Sequence, residues 1–161
     1  MTKDSMRSTI LAAKQAQGLS WETLAAEIGC APVFLCAACL GEHSLTPEQA
    51  AALAEMLGLE QAVAAELTAC SVKGSRAESL MNDPLVYRFR EITLVYGEAI
   101  KQVIHEKFGD GIMSAIDFYL DVGTTIGKLG EKRVVITLNG KFLPFIEQAA
   151  ADNGAPSPRA E

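Results

Sequence analysis

The sequence has no surplus of positive charge, no long apolar run and no cysteine in its second half, and each lack narrows what the chain can be. Lys and Arg number 14 against 20 Asp and Glu, for a formal net charge of -6. A chain so charged sets up no positive field to concentrate a polyanion, which argues against DNA or RNA as a partner. The longest apolar run, Ala31 to Leu40, falls well short of the ~20 residues a helix needs to cross a bilayer, so no membrane segment is expected. The first residues, Met1-Thr2-Lys3-Asp4-Ser5-Met6, carry an early acid and lack the unbroken apolar core of a secretory signal. A cytoplasmic location is therefore the expectation.

Cys30, Cys36, Cys39 and Cys70 all lie in the first half. Cys36 and Cys39 form a C-x-x-C pair with Cys30 and His43 not far off, a spacing that invites a metal or redox reading, but a second close-spaced ligand pair is missing. A separation of three is also the spacing of one helix face, and PVFLCAACLG around it reads as a buried helix in which cysteine packs as a small hydrophobe. No metal site is expected.

What is present is enough apolar material, 49% of 161 residues, to bury a real core. Residues 6 to 69 read as a series of short helices with their own stop signals. A first, from Met6, ends at Gly18; Ser20 caps a second that Gly29 closes; a third runs from Pro32 to Leu40. Thr46-Pro47-Glu48 supplies a cap, a first-turn proline and a dipole-matching acid for a fourth ending at Gly58, and Leu59 to Thr68 form a fifth. The second and third, joined through Gly29, resemble the helix-turn-helix of repressor-like DNA-binding domains. A reading helix must present Arg, Lys, Asn or Gln to the groove, and Ala31 to Leu40 offers none. This part is accordingly expected to serve packing or assembly.

Ser71-Val72-Lys73-Gly74-Ser75-Arg76 breaks the alanine-rich pattern and reads as a linker, dividing the chain into a helical unit over 1–74 and a second unit over 75–147. In the second, Asp83-Pro84 is a cap and first-turn pair for one long helix carrying Leu85, Phe89, Ile92, Tyr96, Ala99 and Val103 at three- and four-residue steps. Ile112, Ser114, Ile116, Phe118, Leu120 and Val122 then alternate as a strand with a buried apolar face. Val134 to Leu138 predict a second strand, with Asn139-Gly140 as a tight turn before Lys141-Phe142-Leu143. The fold class is thus α+β, an all-α bundle followed by a long helix and a small sheet. So small a sheet cannot cover itself, and a partner subunit is expected to complete it. The tail, 148–161, holds turn and breaker residues with little to bury and is expected to be mobile.

Three side chains stand where plain packing would not put them. Arg88 and Glu91 lie roughly 60° apart on a helix, on the border of its apolar stripe; pattern alone also allows a surface ion pair worth a few tenths of a kcal/mol. Alternation sends Ser114 to the face of Ile112 and Ile116, where a hydroxyl without a partner would cost roughly 1–3 kcal/mol. It is satisfied either by neighbouring backbone or by a ligand.

These residues sit in segments that resemble a known family. DPLVYRFREITLVYG from Asp83, HEKFGDGIMSAIDFYLDV from His105 and RVVITLNGKFLP ending at Pro144 look like the cyanases, bicarbonate-dependent cyanate lyases. The resemblance implies that cyanate and bicarbonate give carbamate and carbon dioxide, carbamate then decaying to ammonia and more carbon dioxide, with no metal or organic cofactor. It places the family's catalytic Arg, Glu and Ser on Arg88, Glu91 and Ser114. It further implies intertwined dimers that assemble into a homodecamer with sites between dimers. The extension from Phe145 to Glu161 departs from the family's usual end.

The residue types suit that chemistry on independent grounds. Two small anions 4 Å apart repel by ~1 kcal/mol in water but ~4 at an effective dielectric of 20, so a closed site must supply positive charge. Arg88 offers a planar fork that stays charged when desolvated, and two such groups converging from different subunits would serve two anions better than one. Ser114 is read as a donor that binds and orients; neither His43 nor His105 is tied to it by sequence as a base. Glu91 either fixes Arg88 or handles a proton, and the sequence leaves both open. His105 reads as a dipole-matched residue near a helix end. The rival readings are a helix-turn-helix transcriptional regulator with a ligand-sensing dimerisation tail, and an inactive relative kept as a scaffold.

Overall fold

Local capping sets the boundaries of the first five helices in the structure, a computed structural model that describes residues 1–146; the expected mobility of 148–161 concerns residues outside that range. α1 (Lys3–Ala16) begins earlier than the apolar pattern predicts, because Thr2 and Ser5 cap one another reciprocally. α2 (Trp21–Ile28) starts on Ser20, whose Oγ accepts from the Thr23 amide at 3.0 Å, and stops at Gly29 with φ 73°. α3 (Pro32–Cys39) opens on its proline. α4 (Pro47–Leu57) carries a capping box in which Thr46 accepts from the Gln49 amide and Gln49 Oε1 accepts from the Thr46 amide. α5 (Gln61–Thr68) completes the group.

Met6, Ile10, Leu24, Leu35, Leu53 and Leu67 are wholly buried, and among the described residues every buried apolar side chain lies between Met6 and Leu67. Each such aliphatic side chain stabilises by ~1.5–3 kcal/mol, so this part holds itself together. α2 and α3 meet at 98°, as in a helix-turn-helix, but α3 spends Leu35, Ala38 and Cys39 on the core. Among the described residues no single helix is long and apolar enough to cross a membrane.

The segment read as a linker is fastened down. Glu42 Oε2 accepts from the Gly74 amide at 2.6 Å, the Glu42 carbonyl accepts from Ser71 Oγ at 3.0 Å and Lys73 Nζ at 2.7 Å, and Arg76 pairs with Asp4 at 2.8 Å. A short helix that the sequence pattern did not announce, α6 (Ala77–Leu80), follows it.

α7 (Pro84–Phe108) begins at Asp83, whose Oδ1 accepts from the amides of Leu85 (2.8 Å) and Val86 (3.0 Å). β1 (Gly111–Ile126) and β2 (Lys132–Pro144) then pair antiparallel. Both strands outrun their expected lengths, and the expected turn is misplaced. Asn139 and Gly140 lie inside β2, paired with Tyr119 and Phe118, and the chain reverses at residues 127–131, where the Gly127 amide donates to the Glu131 carbonyl at 2.8 Å. Gly140 is a glycine because the opposite strand crowds it: a Cβ there would overlap the Ser114 carbonyl oxygen and the Met113 side chain.

The stripe on α7 and the face on β1 that their patterns mark as apolar are present but uncovered in the single chain. No residue of α7 is buried, Leu94 is 70% exposed and Ile116 97%. An apolar surface this extensive exceeds what monomeric soluble proteins leave open.

Candidate active site

Arg88 and Glu91 occupy the first two turns of α7, in the interval that helical geometry brings to one side. Arg88 Nη1 donates to Glu91 Oε2 at 2.6 Å, and the guanidinium carbon stands 5.3 Å from the centre of the Tyr87 ring. Both members remain about half exposed. One edge of the fork is therefore occupied by its own carboxylate while the other N–H groups stay available.

Ser114 is the one buried polar residue among those described, and strand irregularity explains its state. Met113 pairs with Phe142 and Phe118 with Gly140, so Ser114 to Asp117 on β1 stand opposite Lys141 alone on β2. Amides within such a bulge lose their ladder partners. Ser114 Oγ supplies the replacement, accepting from the amides of Ile116 at 3.1 Å and Asp117 at 2.9 Å. The backbone reading of Ser114 is thus correct for its lone pairs, while its proton has no acceptor among the described residues, which leaves the hydroxyl free to donate. The simple alternation drawn from Ile112 to Phe118 fails at this bulge.

Within one chain the arginine–glutamate pair and the serine do not share a hydrogen bond or an ion pair. The two grooves beside the end of α7, one of about 230 Å³ lined by Gly97, Lys101, His105 and Met113 and one of about 640 Å³ lined by Phe108, Leu138 and Phe142, include none of the three. The amides of Ile116 and Asp117 are spent on Ser114 itself.

The other reactive side chains lie elsewhere. All four cysteines are free; burial pushes the Cys39 thiol up to about 12, with Cys36 and Cys30 adding to it, and burial also raises Cys36 and Cys30. Such thiols are poor nucleophiles and poor ligands. Among the described residues no three His, Cys, Asp or Glu side chains gather as a metal site. His105 Nε2 stands 3.9 Å from Asp110 Oδ1, and His43 lies against Phe34 and Lys73, so neither is hydrogen-bonded to Ser114 within the chain.

Comparison with known proteins decides the lineage. The family model described as cyanate hydratase, N-terminal, matches residues 3–70, and that described as cyanate lyase C-terminal domain matches residues 78–147. The chain belongs to the cyanate lyase family. A cyanate hydratase of Pseudomonas putida is 51% identical over 145 residues, 90% of this chain and 98% of that one. One of Phaeodactylum tricornutum is 48% identical over 151 residues, 93% of this chain and 78% of its own length. The crystal structure of cyanase from T. urticae superposes with a TM-score of 0.79 at 35% identity, over 88% of this chain and 98% of that chain. The helix-turn-helix likeness of α2 and α3 is therefore a feature of a cyanate lyase family enzyme, and the regulator reading falls away.

Proposed function

We propose that this chain converts cyanate and bicarbonate to carbamate and carbon dioxide at sites completed between subunits, using Arg88, Glu91 and Ser114 and no metal or organic cofactor. A bicarbonate oxygen attacks the cyanate carbon, giving a dianionic adduct that, on taking up one proton, splits to carbon dioxide and carbamate. Carbamate takes up a second proton and falls to ammonia and carbon dioxide.

The arrangement supports a role for each side chain. The free N–H groups of Arg88 hold carboxylate-like oxygens in a plane and offset the repulsion between two anions. Glu91 orients that guanidinium. Ser114, with its lone pairs occupied by backbone amides, can only donate to a small anion, and two amides polarising its oxygen make it a better donor. One observation carries the reading: in a chain of this family, the buried Ser114 hydroxyl keeps a free proton while Arg88 keeps free N–H groups beyond its bond to Glu91.

The interfacial location rests on the apolar faces of α7 and the hairpin, which need covering, and on the separation of Ser114 from Arg88 in the hydrogen-bonding of one chain. A homodecamer of dimers, with 1–74 as a helical unit and 75–147 as the catalytic and dimerisation unit, meets both needs. A cytoplasmic enzyme would meet bicarbonate there. The test is a coupled ammonia assay: ammonia should appear from cyanate only when bicarbonate is supplied, and release at full rate without bicarbonate would refute the proposal.

A further inference from the structure

Gly140 is separated from the proposed site residues in sequence, yet the structure sets it against the backbone that carries Ser114. The β1 bulge places four residues opposite one, so the Ser114 carbonyl turns toward β2 at the position paired with Phe118. A Cβ on residue 140 would lie well inside contact distance of that carbonyl oxygen and of Met113 Cγ. The neighbour in the way is partly main chain, which cannot rotate aside as a side chain can. Gly140 has no left-handed φ, so its need for glycine is the close approach and not backbone conformation. Asp117, at the far end of the bulge, donates its amide to Ser114 Oγ and reaches toward Lys141 Nζ at 3.7 Å, next to Gly140.

We infer that Gly140 is a positioning residue for the reaction: its missing side chain lets the bulge close on β2 so that Ser114 Oγ is held by the amides of Ile116 and Asp117 with only its proton free for the bound anion. The inference rests on Ser114 as a substrate-binding group. Gly140 touches no substrate. Its contribution is to fix a hydroxyl whose misplacement by about 1 Å would cost ~10²-fold in rate.

The experiment compares Gly140→Ala, Gly140→Ala with Met113→Ala, and Ser114→Ala in the full-length protein, measuring kcat and KM for cyanate at saturating bicarbonate together with the sedimenting mass. Gly140→Ala is expected to keep the native mass and lose ~10- to 100-fold in kcat/KM. Adding Met113→Ala should not restore activity, because the Ser114 carbonyl still blocks the new methyl; restoration would reduce the effect to side-chain crowding and overturn the inference. Normal kinetics in Gly140→Ala while Ser114→Ala is impaired would also overturn it. Normal kinetics in Ser114→Ala would instead remove the reading of Ser114 on which it rests. Should Gly140→Ala not fold, Asp117→Pro takes its place, since it deletes the shorter of the two amide donors to Ser114 Oγ at a residue whose side chain reaches only toward Lys141 among the described residues; unchanged kcat/KM there would count against the arrangement.

Discussion

At the scale of single residues, the sharpest demand falls on Arg88. A lysine keeps the charge but not the planar fork, so Arg88→Lys should lose about a hundredfold or more in kcat/KM while the sedimenting mass stays that of the parent. Rates near those of the parent in the ammonia assay would discredit the fork. Glu91→Gln keeps a hydrogen-bond acceptor for Nη1 but removes the charge. A smaller loss than for Arg88→Lys is expected if Glu91 only orients, and a loss of similar size would assign it a proton. Arg88 and Glu91 were legible in the sequence because helical spacing fixes which side chains meet. For Ser114 only its unsuitability for an apolar face could be read. The partners of its hydroxyl depend on a bulge whose position is set by the opposite strand, which no local pattern states.

At the scale of elements, capping made the helices readable: Ser20, Gly29, Thr46, Gly58 and Asp83 all act where their residue types predict. Asn139-Gly140 misled because glycine answers two different needs, a tight turn and a close approach of strands, and the second is a long-range fact. The fastened segment after α5 has a pH dependence that can be worked out. The Lys73 ammonium can only donate, so His43 Nδ1, 3.1 Å away, must accept and the ring must be neutral. Burial, then Lys73, holds His43 below its ordinary 6.5, with Glu42 pulling the other way. Below about pH 6.5 the unfolded chain binds this proton first, so the stabilisation is whole above that pH and drains away as pH falls toward the lower folded value. Urea titrations from pH 7.5 to 5 should show the decline, and His43→Asn, which offers Lys73 an acceptor that does not titrate, should flatten it. An unaltered slope in that variant would place its origin elsewhere.

At the scale of the whole molecule, the two ends of the chain differ in how they are held together. Residues 6 to 67 own a closed core, and burial there predicts that in the native protein Cys39 resists alkylation at neutral pH while the exposed Cys70 reacts. Mass spectrometry after brief iodoacetamide treatment reads the order; early labelling of Cys39 would contradict the packing. α7 and the hairpin display Leu85, Leu94 and Ile116 to solvent, so on the interfacial reading Ile116→Glu should disperse the assembly and abolish turnover, as analytical ultracentrifugation and the ammonia assay would record. Activity persisting in a monomer would sink that reading. The uncovered helix and hairpin also bear on how the enzyme comes into being. On the interfacial reading, a newly made chain can settle its first half alone, while its second half waits for collisions with its kin. Recovery from denaturant should therefore run in two stages, an early one indifferent to dilution and a late one that slows as chains become scarce, with clumping as the competitor when helpers are absent.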